Sequence, residues 1–351
     1  MLNKFARALS KFTFLSLALA IITGASLRAD LVWTPATGWK VEGGSVLTGI
    51  LPEEGRNALD SMNKARALEE KGSRSSAMSL YEKVAKKYPN SIYAPEALFR
   101  AAGIRHQRRQ YSKAYNAYQD IITRYPNSSH FNEIIGDQYR IANALLEGKR
   151  PRYFGIIPGF KSRAKGITYF EGIVQSAPYS DYAPLALMNI ARGHQKADDP
   201  DAAIDALDRM INSYQQSLLA PDAYFKLAET HASLVKGPYY DQASTRQAIT
   251  YFEDFQILFP NDTNIPSVEK GLADARTVFA QSKIKIGDFY FYKRDNYKAA
   301  RVFYNEAITS YPDSKAAEDA RKRLAEVDAS ETKAATPVVP RPKPKRSFWL
   351  F

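Results

Sequence analysis

Four histidines and one run of carboxylates are the residues of this chain whose types and spacing could do chemistry. His194 and His231 stand thirty-seven residues apart, and each follows an alanine by three positions, Ala191 and Ala228. Imidazoles at equivalent positions of neighbouring helices could share a divalent metal. The same position also suits an aromatic ring packed between helices, and packing is the reading adopted here. The run DDPD gathers Asp198, Asp199 and Asp201 as an acid/base site would. It also precedes an apolar-periodic stretch, where the positive end of a helix favours acids, so helix capping is expected in place of catalysis. No phosphate loop, GxSxG or HExxH occurs. With no cysteine, thiol nucleophiles, disulfides and thiolate metal sites are excluded. The expectation is a non-enzymatic protein with no catalytic residue, no metal ligand and no cofactor.

The elements that must position these residues follow from composition and pattern. A chain of 351 residues, 45% hydrophobic and 25% charged, has the composition of a foldable globular protein. Residues 1–29 stand apart: Lys4, Arg7 and Lys11 precede the apolar run 12–22, and small residues lead to Ala29. This is the pattern of a secretory signal peptide cleaved after Ala29, shorter than the roughly 18–20 apolar residues of a membrane-spanning helix. Export to the periplasm is expected, and without a cysteine to acylate, the exported protein is not expected to be a lipoprotein. Lys4, Arg7, Lys11 and Arg28 leave with that segment and take four from the formal charge of +12. Lys333, Arg341, Lys343, Lys345 and Arg346 concentrate much of the remainder near the end. An exported basic tail rarely meets nucleic acid, so none is expected as a partner; anionic lipid or cell-wall polymer fits it better.

Between these ends the chain repeats itself. Ala77, Tyr81, Val84, Tyr88 and Pro89 align with Ala114, Tyr118, Ile121, Tyr125 and Pro126, and both copies end in YPNS. The offsets of 0, 4, 7, 11 and 12 draw an apolar stripe on one face of a helix, closed by a proline that cannot continue it. The stripe recurs from Gly166, Ala203, Ala248 and Ala300, making six copies. Each is preceded by another amphipathic stretch, at residues 57–71, 95–109, 131–147, 184–196, 221–236 and 268–293. The unit is a helical hairpin, and it resembles the tetratricopeptide repeat, with Ala65, Ala102 and Ala191 as the small residues of the first helix. A hairpin cannot bury its apolar face alone, so the units must stack. The expected fold is all-α, a tetratricopeptide-repeat solenoid of about six helical hairpins with two inserted loops, residues 148–163 and 236–246. The expected domains are a signal peptide at 1–29, a Trp/Gly-rich leader at 30–55, the solenoid at 56–327 and a Pro/Lys-rich disordered tail at 328–351.

The tetratricopeptide resemblance implies a groove lined by the first helices, with the residues three before and one after each crossing alanine facing inward. These are Met62 and Arg66, Phe99 and Gly103, Met188 and Arg192. Treating Ala142 as the equivalent of Ala102 adds Tyr139 and Asn143, and His106 lies one turn beyond Gly103. Arginine beside aromatic and apolar patches suits an extended peptide ending in an aromatic residue and a carboxylate. The protein's own leader or tail is the competing occupant.

The final third narrows the family. Ala275-Arg276, the helix leading to residues 287–290 (GDFY), the turn at Arg294-Asp295-Asn296 and residues 311–314 (YPDS) resemble the BamD family of outer-membrane assembly lipoproteins. Tyr153-Phe154-Gly155 is similar to an aromatic-Gly insertion there. The resemblance covers about residues 56–327. It implies a periplasmic scaffold, peripheral at the inner face of the outer membrane, that binds unfolded β-barrel clients and the periplasmic domains of a BamA-like outer-membrane insertase. The absent lipobox cysteine, a sixth hairpin, the leader and the tail depart from the family pattern. A cell-wall or division-coordinating repeat adaptor is the alternative.

Overall fold

The structure, a computed structural model, describes residues 30–43 and 49–335. The signal-peptide reading of residues 1–29 and the tail from 336 onward lie outside the described residues. Thirteen α-helices are described. They are α1 (Pro52–Glu70), α2 (Arg74–Lys87), α3 (Tyr93–Gln107), α4 (Tyr111–Arg124), α5 (Phe131–Leu146), α6 (Arg163–Ser176) and α7 (Tyr182–Gln195). There follow α8 (Pro200–Ser213), α9 (Ala220–Ser233), α10 (Ala243–Leu258), α11 (Ile265–Arg294), α12 (Tyr297–Ser310) and α13 (Lys315–Ala335). Two small hairpins complete the list, β1 (Asp30–Thr34) with β2 (Gly38–Glu42), and β3 (Arg152–Tyr153) with β4 (Ile157–Pro158).

Helix α1 packs on α2, α3 on α4, α5 on α6, α9 on α10 and α11 on α12, each pair a hairpin, and α13 closes the last one by packing on α12. An all-α tetratricopeptide-repeat solenoid is therefore the fold. The chain divides into two compact units, residues 1–183 and 184–351. The six-copy stripe is its core signature. Its first three positions are fully or almost fully buried wherever they occur, from Ala77, Tyr81 and Val84 to Ala300, Tyr304 and Ala307. In the third copy the small residue is Gly166, where an added Cβ would lie 2.8 Å from Leu146 N and 2.9 Å from Ala142 O. Helices α5 and α6 approach too closely there for any side chain.

The repeated YPNS turn has a common hydrogen bond. The N–H of Ser91 donates to Tyr88 O at 3.1 Å, Ser128 to Tyr125 O at 2.9 Å and Ser314 to Tyr311 O at 3.2 Å. Proline pre-sets the second position of this turn, and the serine closes it. The turn inside the hairpin is equally regular: Gly72, Arg109, Asp198 and Asp295 each stand five residues before the stripe's small residue, and all have positive φ. Three of the four copies therefore hold a non-glycine residue in the left-handed region.

Two boundaries differ from those expected, and the leader is folded: β1 and β2 pair with Trp33 opposite Trp39, and Trp39 is buried in the same cluster as Ala58, Met62, Tyr81 and Tyr93. The alternation of Leu31, Trp33, Trp39 and Val41 places these residues on the packed face, so the hairpin gains burial it could not find alone. The solenoid starts earlier, since α1 begins at Pro52, a residue suited to the first turn of a helix. It also ends later, since α13 carries the first residues assigned to the tail as far as Ala335.

Candidate functional site

The inner helix faces of the amino-terminal unit can be followed residue by residue. On α1, Met62 is fully buried and lines no open groove. The leader hairpin covers this face: Asn63 Oδ1 accepts from the Trp39 N–H at 2.7 Å, and Asn63 Nδ2 donates to Trp39 O at 3.4 Å. Arg66 lies under the leader as well, its guanidinium 4.4 Å from the Trp33 ring centre and paired with Glu69 at 3.3 Å and Glu70 at 3.0 Å. A guanidinium so engaged has little left to offer an incoming carboxylate.

On α3 the face is different. Phe99 is half-buried and stacks on His130, with ring centres 4.2 Å apart and planes 6° apart. Gly103 is half-exposed, with only the Tyr118 hydroxyl near the place a Cβ would take. His106 places Nδ1 3.6 Å from Asp137 Oδ1, and its ring stands edge-on to Tyr111. On α5, Tyr139 packs between Phe170 and Tyr182, and Asn143 is half-buried. In the carboxy-terminal unit, Met188 is half-buried and Arg192 exposed on α7. His194 and His231 keep different company: His194 Nδ1 lies 3.3 Å from Asp199 Oδ2, while His231 stacks on Tyr251. Asp199 caps α8 by accepting from Ala202 N at 3.2 Å.

Beside the open α3 face lies a cleft of about 790 Å³. One wall is strand β1, through Asp30, Leu31 and Val32. The other is the start of α3, with Ile92, Pro95 and Glu96, and the turn from Arg124 to His130 that contains the second YPNS. Because both main-chain groups of Trp39 bond to Asn63, they face away from β1. The opposed pairs Trp33–Trp39 and Leu31–Val41 are thus the non-hydrogen-bonded pairs of the hairpin. The main-chain groups of Leu31 and Trp33 consequently point out of the opposite edge, and among the described residues no main-chain bond closes on them. An unpaired strand edge against a cleft is a template for another extended segment.

The cleft is electrostatically set by a buried acid. Glu96 accepts from Arg100 Nε at 2.7 Å and from His130 Nε2. Burial would push its carboxyl up, but the hydrogen bond from His130 and the charge of Arg100 outweigh this and hold it below its ordinary value. The hydrogen bond to Glu96 raises the His130 imidazole, and Glu133 Oε2, 3.1 Å from Nδ1, adds to the effect. The second acid, Asp137, is opposed by burial but held low by His106 and by the Tyr118 hydroxyl, which donates to it at 2.6 Å. Burial and that bond push the Tyr118 hydroxyl far up, so it remains a donor. Sequence reasoning passed over Glu96, Arg124, His130 and β1. The period-two alternation of the leader signals the strand; nothing local marks Glu96.

Stacked helical hairpins with this buried stripe and a lined inner face define a tetratricopeptide-repeat protein, and residues 61–91 and 96–128 match the tetratricopeptide repeat family. More narrowly, the chain is similar to the BamD group: residues 161–335, just under half of it, match YfiO, the outer membrane lipoprotein family. It is 23% identical over 167 residues to the outer membrane protein assembly factor BamD of Xylella fastidiosa strain 9a5c, and equally to that of strain Temecula1 / ATCC 700964. These alignments cover 45% of this chain and 57% of each relative, so the chain spans little more than half the length of the curated relatives it matches. Among solved structures it is similar to a tetratricopeptide repeat protein from Parabacteroides merdae ATCC 43184, at 12% identity and a TM-score of 0.32, covering 78% of this chain and 99% of that one.

Proposed function

We propose that the protein is a non-enzymatic periplasmic scaffold for assembly of outer-membrane β-barrel proteins, held peripherally at the inner face of that membrane. In this reading the amino-terminal unit takes an extended, strand-forming client segment, and the carboxy-terminal unit, which carries most of the YfiO match, meets the periplasmic domains of an insertase. The observation that carries the proposal is the free edge of β1 along the cleft. A client strand pairs its main chain with Leu31 and Trp33, rests side chains on Ile92 and Tyr125, and directs a terminal carboxylate to Arg124, exposed on the cleft wall. Phe99 supports this surface through its stack on His130, and Gly103, His106, Tyr139 and Asn143 extend it along the open helix faces. Met62 and Arg66 leave the list of contact residues, because the leader occupies their face.

The test is a titration of a labelled peptide with a barrel-like alternating sequence and a terminal phenylalanine carrying a free carboxylate. Binding to the full chain should weaken about tenfold for Arg124→Ala and for an amidated terminus, the loss of one charge-assisted contact. Methylating alternate amides of the peptide should abolish it, while Arg66→Ala should leave it unchanged. Equal binding of methylated and unmethylated peptides would remove strand pairing from the mechanism.

A further inference from the structure

Between α5 and α6 the chain leaves the repeat, and this excursion carries an unusual combination of residues. From residue 148 to residue 170 there are six lysines and arginines and no aspartate or glutamate. Within it, five large apolar side chains are more than half exposed: Tyr153 at 54%, Phe154 at 72%, Ile156 at 73%, Ile157 at 57% and Phe160 at 87%. Exposed apolar groups gathered on one short element, rimmed by charge of one sign, mark a contact surface.

The excursion is held in place. Tyr153 pairs with Ile157 across the β3–β4 hairpin, Arg152 N donates to Arg109 O at 2.8 Å, and Gly159 N donates to Pro151 O at 2.7 Å. Arg108, at the end of α3, donates to Phe154 O at 2.8 Å and also to Ser75 Oγ. Its guanidinium lies across Gly155, where an added Cβ would come within 2.5 Å of Nε. Phe154 itself has φ of 53°, a conformation costly for a bulky side chain. The fold thus stores strain in holding the Phe154 ring out in solvent.

We propose that this hairpin is a bilayer-contact element: its aromatic and aliphatic tip enters the headgroup boundary of an anionic leaflet, while the lysines and arginines at its base meet the lipid phosphates. Charge complementarity selects this occupant, since a predominantly cationic base, with Glu147 at its edge, beside apolar groups supplies the two signals that interfacial binding requires. Shape agrees. The apolar groups stand more than half exposed on a short hairpin, and a soft interface surrounds such a tip where a protein partner would need a matching cavity. Tyrosine is also enriched at the membrane interface, and phenylalanine is among the apolar side chains that bury at the headgroup boundary. The proposal does not rest on client binding, which uses the cleft beside β1.

The test exploits the absence of cysteine from the chain. The full chain carrying Phe160→Cys is labelled there with an environment-sensitive fluorophore and mixed with vesicles of phosphatidylethanolamine and phosphatidylglycerol, or of phosphatidylcholine alone. The expected result is a blue shift with the anionic vesicles, weak or absent with phosphatidylcholine. Adding Phe154→Ser and Ile156→Ser should lower partitioning about tenfold. Arg150→Ser with Lys161→Ser should lower it by a similar factor and flatten its salt dependence. Thermal melts of these variants should match the parent, because the altered side chains are solvent-facing. A label that stays silent with anionic vesicles overturns the proposal, even where the protein sediments with them through another segment. So does a label that responds only to an added protein or peptide, which would assign the hairpin to a protein partner.

Discussion

The first and second helical hairpins are copies that meet different surroundings. Ala77, Tyr81 and Val84 on α2 and Ala114, Tyr118 and Ile121 on α4 are all buried, as are the crossing alanines Ala65 and Ala102. Between helices, the two hairpins are therefore built alike. Their inner faces are not: Met62 is fully buried and Arg66 lies under Trp33, whereas the equivalent Phe99 and Gly103 are half-exposed. The repeat dictates which positions turn inward, and a segment outside the repeat decides what they face. The leader converts the first face into core and leaves the second as a cleft.

The largest expected effect tests what the hairpins share. Tyr118→Ala should destabilise by about 3–5 kcal/mol in denaturant titrations, since a buried aromatic is removed and Asp137 loses one of its donors. A loss under about 1 kcal/mol would show that the stripe is not core. Trp39→Ala comes next, at about 3 kcal/mol. Hydrogen exchange should then rise most along the inner face of α1 and less on α3, whose Arg100 also borders the Trp39 ring. If both faces open together, the contrast between them fails.

Phe99→Ala should cost about 1 kcal/mol, the ordinary size for a half-exposed position, while weakening the peptide of the preceding test about tenfold. A stability loss as large as that of Tyr118→Ala would mean that the second face is closed as well. The pH dependence of the cleft is a finer probe. The hydrogen bond to Glu96 holds the His130 imidazole above its ordinary value. The stabilisation from its charged form is therefore fully present below the unfolded value of about 6.5 and is lost as pH rises through the folded value. Tm should decline over that window, and His130→Gln should remove that part of the slope. The smallest effect concerns the turn inside the hairpins. Arg109→Gly should stabilise by about 0.5–1 kcal/mol in thermal melts, because glycine relieves the left-handed strain that Gly72 avoids in the first copy.

The legible part of this protein is the local part. Offsets such as Ala114, Tyr118, Ile121 and Pro126 locate a helix, its buried stripe and its stop, since each is set by neighbours within a dozen residues. The capping role of Asp199 was readable for the same reason. The leader was half readable, because its alternation and Gly38 mark a hairpin but not its destination. The insertion at 148–163 announced aromatics and cations without revealing that Arg108 holds Phe154 out in solvent.

By itself, then, the sequence determined the helical hairpin, its register and the number of its copies, because a period of 3.6 and a proline stop act on the chain's own neighbours. Only the tertiary structure decided that Asn63 grips Trp39 from twenty-four residues away, that Met62 is core while Phe99 stays half-exposed against His130, and that Glu96 and His130 meet across thirty-four residues. Such contacts depend on which surfaces stacking leaves adjacent, and the free energy gained by covering an apolar face does not depend on where in the chain the cover comes from.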